Sequence, residues 1–384
     1  MRVQALVLHL KHWQLQLFKE VKEGLYMAIV GQINASPSIS IAFKTLATTA
    51  IQRSERGTVC LILKDKKATG KWHTFKTIAD VDTKSWDAES IKYINLAMHY
   101  GAFKVLVRVV QNEETTDKVL KDLEMRKFNW LAYPQALETE DQTVVNWVKQ
   151  QFGNTGIIGK TIKYVSSYAN NTDHVAVVEL ANGGTYKSIY GDFTAQEYTV
   201  AIAGLIAGMP LNRSADNHVM SDLKEVEEYE PKIGKFSLYT DEDVIRVNYG
   251  VNSKTTFDST WKKDTRKIKV VEGMCFIVDD IRDTFKKYWL GKYINDYDNK
   301  MNFCSNVTKV YFKEMSPNVL NGDYDNKVEI DIEAQKGTVI ADGLDPDTMT
   351  DLEILQYPTG DDVYLTGDVR FADTMASLSL IMTM

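Results

Sequence analysis

The stretch whose residue types come nearest to a reactive site is Gly153-Asn154-Thr155-Gly156-Ile157-Ile158-Gly159-Lys160-Thr161. It ends in Gly-Lys-Thr, as does a phosphate-binding loop, in which backbone N–H groups cradle the phosphates and the lysine neutralises them. The spacing argues against that chemistry. Five residues separate Gly153 from Gly159 where the motif has four, and Asn154 stands where the first glycine belongs. The loop also runs from a helical pattern at 141–152 into a strand-like one at 162–166. A phosphate loop runs the other way, from strand to helix, so that the helix N-terminus faces the anion. The six histidines are dispersed without HxxxH or HExxH spacing, and no GxSxG sequence occurs. Residues 321–329 and 342–353 are acidic but lack calcium-loop ligand spacing with glycine at the sixth place. Cys60, Cys275 and Cys304 are odd in number, with no CxxC, and read as core or free thiols of a reducing compartment. Carboxylates are plentiful and no pair is marked out. No catalytic residue, metal or cofactor is expected.

A second group carries charge rather than reactivity. Lys262-Lys263-Asp264-Thr265-Arg266-Lys267-Ile268-Lys269, with Arg282, Lys286, Lys287 and Lys292 further on, is basic in a chain of net charge -7. One reading is a solvated face; the other is a surface that docks on an acidic protein. Nucleic acid fits poorly, because no aromatic residues interleave as stacking platforms.

The elements that must position these residues fall into two halves. At 384 residues, 44% hydrophobic and 25% charged, the chain has ordinary globular composition and length for two domains. Residues 193–210, FTAQEYTVAIAGLIAGMP, are the most sharply written element. Thr194 and Glu197 form a capping box, Phe193 and Tyr198 a hydrophobic staple, and Pro210 marks the stop. Without a charge between Glu197 and Arg213, and too short to span a bilayer at roughly 20 residues, the run predicts a helix buried in protein. Its alanines and glycines admit a second backbone closely. Before it, apolar runs at 59–63, 104–110, 128–133, 162–166 and 175–180 alternate with helical patterns at 85–100, 116–127 and 141–152. Such alternation predicts a mixed or parallel sheet covered on both faces. After Pro210 the alternation stops. An acidic run at 222–230, a hairpin at 236–249, amphipathic helices at 274–290 and 301–315, and alternating strands at 363–371 and 378–384 follow. The expected fold class is an α/β N-terminal domain followed by an α+β C-terminal domain, with extended strand-forming arms at both ends. The boundaries are 1–26, 27–44 for the N-terminal arm, 45–232 for the α/β domain, 233–358 for the α+β domain, and 359–384 for the C-terminal arm.

Two points stay open on pattern alone. Residues 19–24, just before Met27, read like translated purine-rich ribosome-binding DNA, so 1–26 is either an upstream extension or an amphipathic helix. In the first arm Ile39, Ile41 and Phe43 alternate with Ser38, Ser40 and Ala42; in the last Val363, Leu365, Val369 and Phe371 alternate with polar residues. Such strands either pair within the chain or are donated to a neighbour.

Several long stretches together, IAFKTLATTAIQRSERG, FTAQEYTVAIAGLIAGMPLNRSA, VVEGMCFIVDDIRDTFKKYWLGKYINDYDNK, YDNKVEIDIEAQ and VYLTGDVRFADTMASLSL, resemble the short-form tail sheath subunit of contractile-tailed phages, phage-like particles and R-type bacteriocins. The resemblance runs from Met27 to Met384 in the family's order; the glycine-rich loop at 152–160 departs from it. It implies a structural subunit without enzymatic activity, assembled with itself as hexameric rings in a helical stack around a tail tube. The tail tube protein, baseplate and tail terminator proteins are the implied partners, with no nucleic acid and no stable membrane insertion. The implied location is a virion tail or phage-like particle assembled in the bacterial host cytoplasm. On this reading Ser38, Ile39, Ser40, Ile41 and Phe43, and Val363, Leu365, Val369 and Phe371, are inter-subunit strand arms. Lys262, Lys263, Lys267, Lys286 and Lys287 are candidates to face the tube. The alternative from another class is a soluble α/β nucleotide-dependent enzyme.

Overall fold

The computed structural model describes residues 57–111, 114–153, 159–376 and 379–382. The chain divides into two units. Among the described residues the larger comprises those within 57–283, 315–324 and 369–382, the smaller 284–314 and 325–368. The division at Asp283 differs from the expected 232/233 boundary. The reason is that the hairpin residues Leu238, Ile245 and Val247 and the helix residue Ile268 belong to the same apolar cluster as Val59, Leu61 and Leu63.

The larger unit is built on β1 (Thr58–Leu63), all six residues of which are buried. It lies between β3 (Lys104–Val109) and β4 (Trp130–Ala132), parallel to both, and β5 (Lys163–Ser166) and β6 (Val177–Glu179) continue the parallel order. β2 (Trp72–Phe75) closes the far edge antiparallel to β3. The sheet order is therefore β2-β3-β1-β4-β5-β6. Counting only the parallel strands, this is the doubly wound 2-1-3-4-5 order. Alternate side chains of β1 feed two cores. Val59, Leu61 and Leu63 meet α1 (Ala88–His99) and α4 (Ala195–Gly208), and Cys60 and Ile62 meet α2 (Thr116–Leu123), α3 (Glu138–Phe152) and the first turns of α5 (Ile268–Thr284).

The uncharged helix α4 forms as its sequence predicts. Thr194 caps it by accepting from the Glu197 N–H, and Glu197 Oε2 accepts from the Thr194 N–H at 2.7 Å. The Phe193 and Tyr198 rings lie 6.4 Å apart. A Cβ on Gly204 would stand 2.4 Å from the Ala97 carbonyl oxygen, so only glycine lets α4 approach the backbone of α1 this closely. The helical pattern at 85–100 begins with Ser85, but Ser85 does not cap α1. Its hydroxyl donates to Asp82, and Asp87 occupies the cap position. On either side of α4 in sequence, β7 (Thr185–Ser188), β8 (Gly191–Thr194) and β9 (Leu223–Glu225) form one small sheet, and β10 (Leu238–Asp241) with β11 (Val244–Val247) follow as the expected hairpin.

The smaller unit begins with a π-helical turn at Phe285–Trp289. Helix α6 (Tyr297–Asn306) runs into a second such turn at Val307–Phe312. β12 (Lys327–Ile330) pairs antiparallel with β13 (Leu365–Asp368), and α7 (Ile332–Ala341) and α8 (Asp351–Gln356) lie between them in sequence. Among the described residues no helix is long and apolar enough to cross a membrane.

Candidate functional site

The Gly-Lys-Thr stretch follows a helix C-terminus, where the dipole is negative and repels phosphate. Gly153, at φ 91°, ends α3, and the Gly159 and Lys160 N–H groups return to the carbonyls of Phe152 and Gln151 at 2.7 and 2.8 Å. Lys160 Nζ donates to the Glu124 carbonyl at 2.9 Å, and the Thr161 hydroxyl donates to Asp279 at 2.7 Å. The groups a nucleotide would need are engaged in holding the turn.

A doubly wound sheet binds ligands outside the carboxyl ends of its strands, where the order reverses. Here that place lies between the ends of β1 and β4, and it is bridged from within. Gln135, just past β4, accepts from the Lys64 N–H at 2.7 Å and donates to the Lys64 carbonyl at 3.2 Å. Lys64 Nζ is bound to Glu140 at 2.7 Å. The carboxyl ends of β1 and β4 are thus bridged by the chain's own side chains.

The buried polar groups of this unit are joints rather than reactants. Asp141 accepts from the hydroxyls of Tyr164 (2.5 Å) and Ser166 (2.6 Å) and from Gln196 (3.1 Å), tying α3 to β5 and α4; burial pushes its carboxyl up. Lys163 and Glu272, both buried, pair at 2.6 Å, and the Trp130 indole donates to the same carboxylate. Arg108, wholly buried, bonds Glu114 and Asp122 at 2.8 and 2.7 Å. Burial works against ionisation of Glu114, but Arg108 and the Gln111 N–H outweigh it and hold the carboxyl at about 2. The three thiols are free and buried, and burial pushes Cys275 and Cys304 up to about 12, where they are unreactive. Among the described residues no group of histidine, cysteine and carboxylate side chains is placed to hold a metal.

Of the strand-arm candidates, Ser38, Ile39, Ser40, Ile41 and Phe43 lie outside the described residues. The other four are half-buried on their own chain. Leu365 pairs with Ile330 as β13 joins β12. Phe371 bridges to Leu320, and its ring covers Gly273 of α5 so closely that a Cβ there would lie 2.6 Å from it. The β12–β13 sheet is two strands wide, with no third strand among the described residues, and on the outer side of β12 the Val328 N–H donates to Thr308 Oγ1 at 3.0 Å. Of 379–382, no residue is in a strand.

The basic candidates do not gather on one unit. Lys262 and Lys263 are exposed on the larger unit, and Lys267 is half-buried there in an ion pair with Asp373. Lys286 and Lys287 are exposed on the first turn of the smaller unit. That unit also holds a cavity beneath Trp289 and Phe303, which charge and motif reading missed because its wall is assembled from segments far apart in sequence.

No protein-family model matches the chain. Its fold is that of tail sheath proteins. The sheath tail protein of Listeria innocua superposes with a TM-score of 0.63 at 14% identity, covering 87% of this chain and 99% of that one. The helical sheath of the anti-feeding prophage in its contracted state gives a TM-score of 0.62 at 12% identity, over 86% and 93%. In sequence the chain is 28% identical over 360 residues to the tail sheath protein of a Clostridium phage, phiCD119, covering 89% of this chain and 98% of that relative. These relatives are structural tail sheath proteins, not enzymes.

Proposed function

We propose that the chain is the sheath subunit of a contractile phage or phage-like tail. One observation carries this reading: the likeness to tail sheath proteins extends over almost the full length of both partners, in sequence and in fold. The bridged switch point and the engaged Gly-Lys-Thr loop agree with it, since rearranging a sheath requires no chemistry in the subunit.

On this reading subunits form hexameric rings stacked helically around a tail tube, between a baseplate and a tail terminator, and are assembled in the bacterial host cytoplasm. The extended stack is held by a kinetic barrier. Contraction moves each subunit as a rigid body between two packings and drives the tube through the target envelope. Neighbours stay joined through exchanged strands. Ser38–Phe43 of one copy adds to an edge of the β12–β13 sheet of the next, and Val363–Phe371 forms the receiving edge or exchanges with it. Lys262, Lys263 and Lys267, or Lys286 and Lys287, meet an acidic tube exterior.

Electron microscopy of the purified chain, alone and co-expressed with a tube protein, tests the reading. Rings or tubes are expected; discrete single-chain particles in both preparations would overturn it. Deletion of 27–44 is expected to leave a folded chain that forms neither.

A further inference from the structure

A groove of the larger unit, about 350 Å³ in volume, is walled by Pro231, Ile233, Tyr249, Val251, Arg266 and Ala376 among others. Pockets that take ligands or side-chain anchors span roughly 300–1,000 Å³. Ile233 is exposed by 78% and Tyr249 by 51%, so the apolar part of the wall faces water. Charge does not choose the occupant. Asp216, also in the wall, accepts from the Ser214 hydroxyl at 2.8 Å and from the Gly250 N–H at 2.6 Å, and Lys267 is paired with Asp373. That leaves Lys232 and Arg266, with the exposed Glu230 next to Pro231 in sequence. An apolar, uncharged segment suits such a wall, and its backbone carbonyls can accept from the N–H groups of Arg266.

The chain's own course supplies one. After β13 the Phe371 ring covers Gly273, the Ala372 N–H donates to the Val319 carbonyl at 2.8 Å, and the Ala372 carbonyl accepts from Lys269 Nζ. Asp373 then holds Lys267 of the wall, and three residues on Ala376 stands in the wall itself. Residues 374–384, TMASLSLIMTM, carry no charge. Leu380, Ile381 and Met382 are exposed by 72, 86 and 82%. Single exposed apolar residues are ordinary. Three in a row, within about 14 Å of extended chain from an open apolar groove, form the other half of a contact.

We propose that the groove takes residues 380–382 of the same copy. Leu380 and Met382, which share one face of an extended segment, pack against Ile233, Tyr249 and Val251. Tethered this closely, the segment meets its own groove at an effective concentration on the order of mM, against which a second copy competes only at its bulk concentration. The consequence rests on the sheath reading: a free subunit keeps its apolar tail covered, and assembly releases it.

The test uses the full chain with benzoylphenylalanine at position 249, in mixtures of isotopically heavy and light copies, first dilute and then assembled. In the dilute chain, crosslinks into 380–382 within one copy are expected; if the chain with the probe at 249 does not fold, the probe at position 233 serves. Heavy–light crosslinks into 380–382 give the groove to a second copy, and crosslinks that miss 380–382 give it to something else; either result overturns the proposal. The combined Leu380→Asp, Ile381→Asp and Met382→Asp variant is expected to lower the intrachain yield about tenfold. An unchanged yield contradicts docking through these side chains. On assembly the wild-type intrachain crosslink is expected to fall about threefold or more; a yield that does not fall contradicts the release. A wild-type chain that never assembles is a failure of the sheath reading, and the dilute-chain crosslinks then decide this inference by themselves.

Discussion

The two units handle buried charge in opposite ways. In the larger, Lys163 and Arg108 are almost wholly inaccessible, and each is answered by carboxylates at hydrogen-bonding distance. In the smaller, Lys300 is buried too, but its hydrogen bonds go to an amide and a hydroxyl oxygen rather than to a carboxylate, in a wall that leaves an indole N–H and an amide oxygen unbonded. The same contrast holds for the sheets: six strands covered on both faces in one unit, two strands alone in the other. Two-stranded sheets are marginal alone. The larger unit is complete as a folded body, and the smaller has the features of one finished by contact with something else.

The largest expected effect comes from breaking a completed pair. Lys163→Met leaves Glu272 as an uncompensated buried charge and is expected to cost about 3–5 kcal/mol. Lys300→Met removes a cation hydrogen-bonded to neutral oxygens and leaves the buried Gln335 Oε1 without that donor, so its cost is expected to be smaller, about 1–3 kcal/mol. Denaturant melts of the two variants side by side check this; equal losses would erase the distinction between the units.

Packing gives the next effect. Gly204→Val places a side chain against the Ala97 carbonyl of α1, where neither backbone can yield, and is expected to destabilise by about 1–3 kcal/mol or more. A wild-type thermal melt for this variant would mean that α1 and α4 are not held at this separation.

The pH response of the larger unit is gentler. Burial pulls His174 down to about 4 from its ordinary 6.5, so the folded chain keeps it neutral where the unfolded chain protonates it. Its contribution is fully present above pH 6.5 and lost as pH falls from 6.5 to about 4. The slope from one such group reaches at most about 1.4 kcal/mol for each pH unit. His174→Gln is expected to flatten stability in that window; an unchanged slope would assign it to other groups. The smallest effect is expected at the loop: Lys160→Ala should leave assembly intact and nucleotides should not raise the melting temperature of either chain. Stabilisation by a nucleotide that vanishes in the variant would reopen the enzyme reading.

What the sequence made legible was local. The capping box at Thr194 and Glu197, the glycines of α4, the hairpin around 241–244 and the strand at 59–63 each carry their signal within a few residues. The direction of the Gly-Lys-Thr loop was readable for the same reason. Two helices went unread, α7 and α8, although Thr350 and Glu353 form a capping box that marks the start of α8. The unit boundary was not legible, because residues 315–324 and 369–376 return to the larger unit through contacts such as Phe371 on Gly273. The closing of Gln135 over Lys64 and the cavity at Trp289 also depend on residues brought together from distant segments. The pattern at 363–371 predicted a strand but not its partner, since alternation fixes which face is buried and says nothing of whose edge is paired.

Hydrogen exchange on the free chain and on assembled particles tests the contrast most directly. Amides of Lys327–Ile330 and Leu365–Asp368 that exchange quickly in the free chain are expected to gain protection on assembly, while those of β1 are protected in both states. Equal exchange of the β12–β13 amides in free and assembled chains would contradict the claim that the smaller unit is completed by its neighbours.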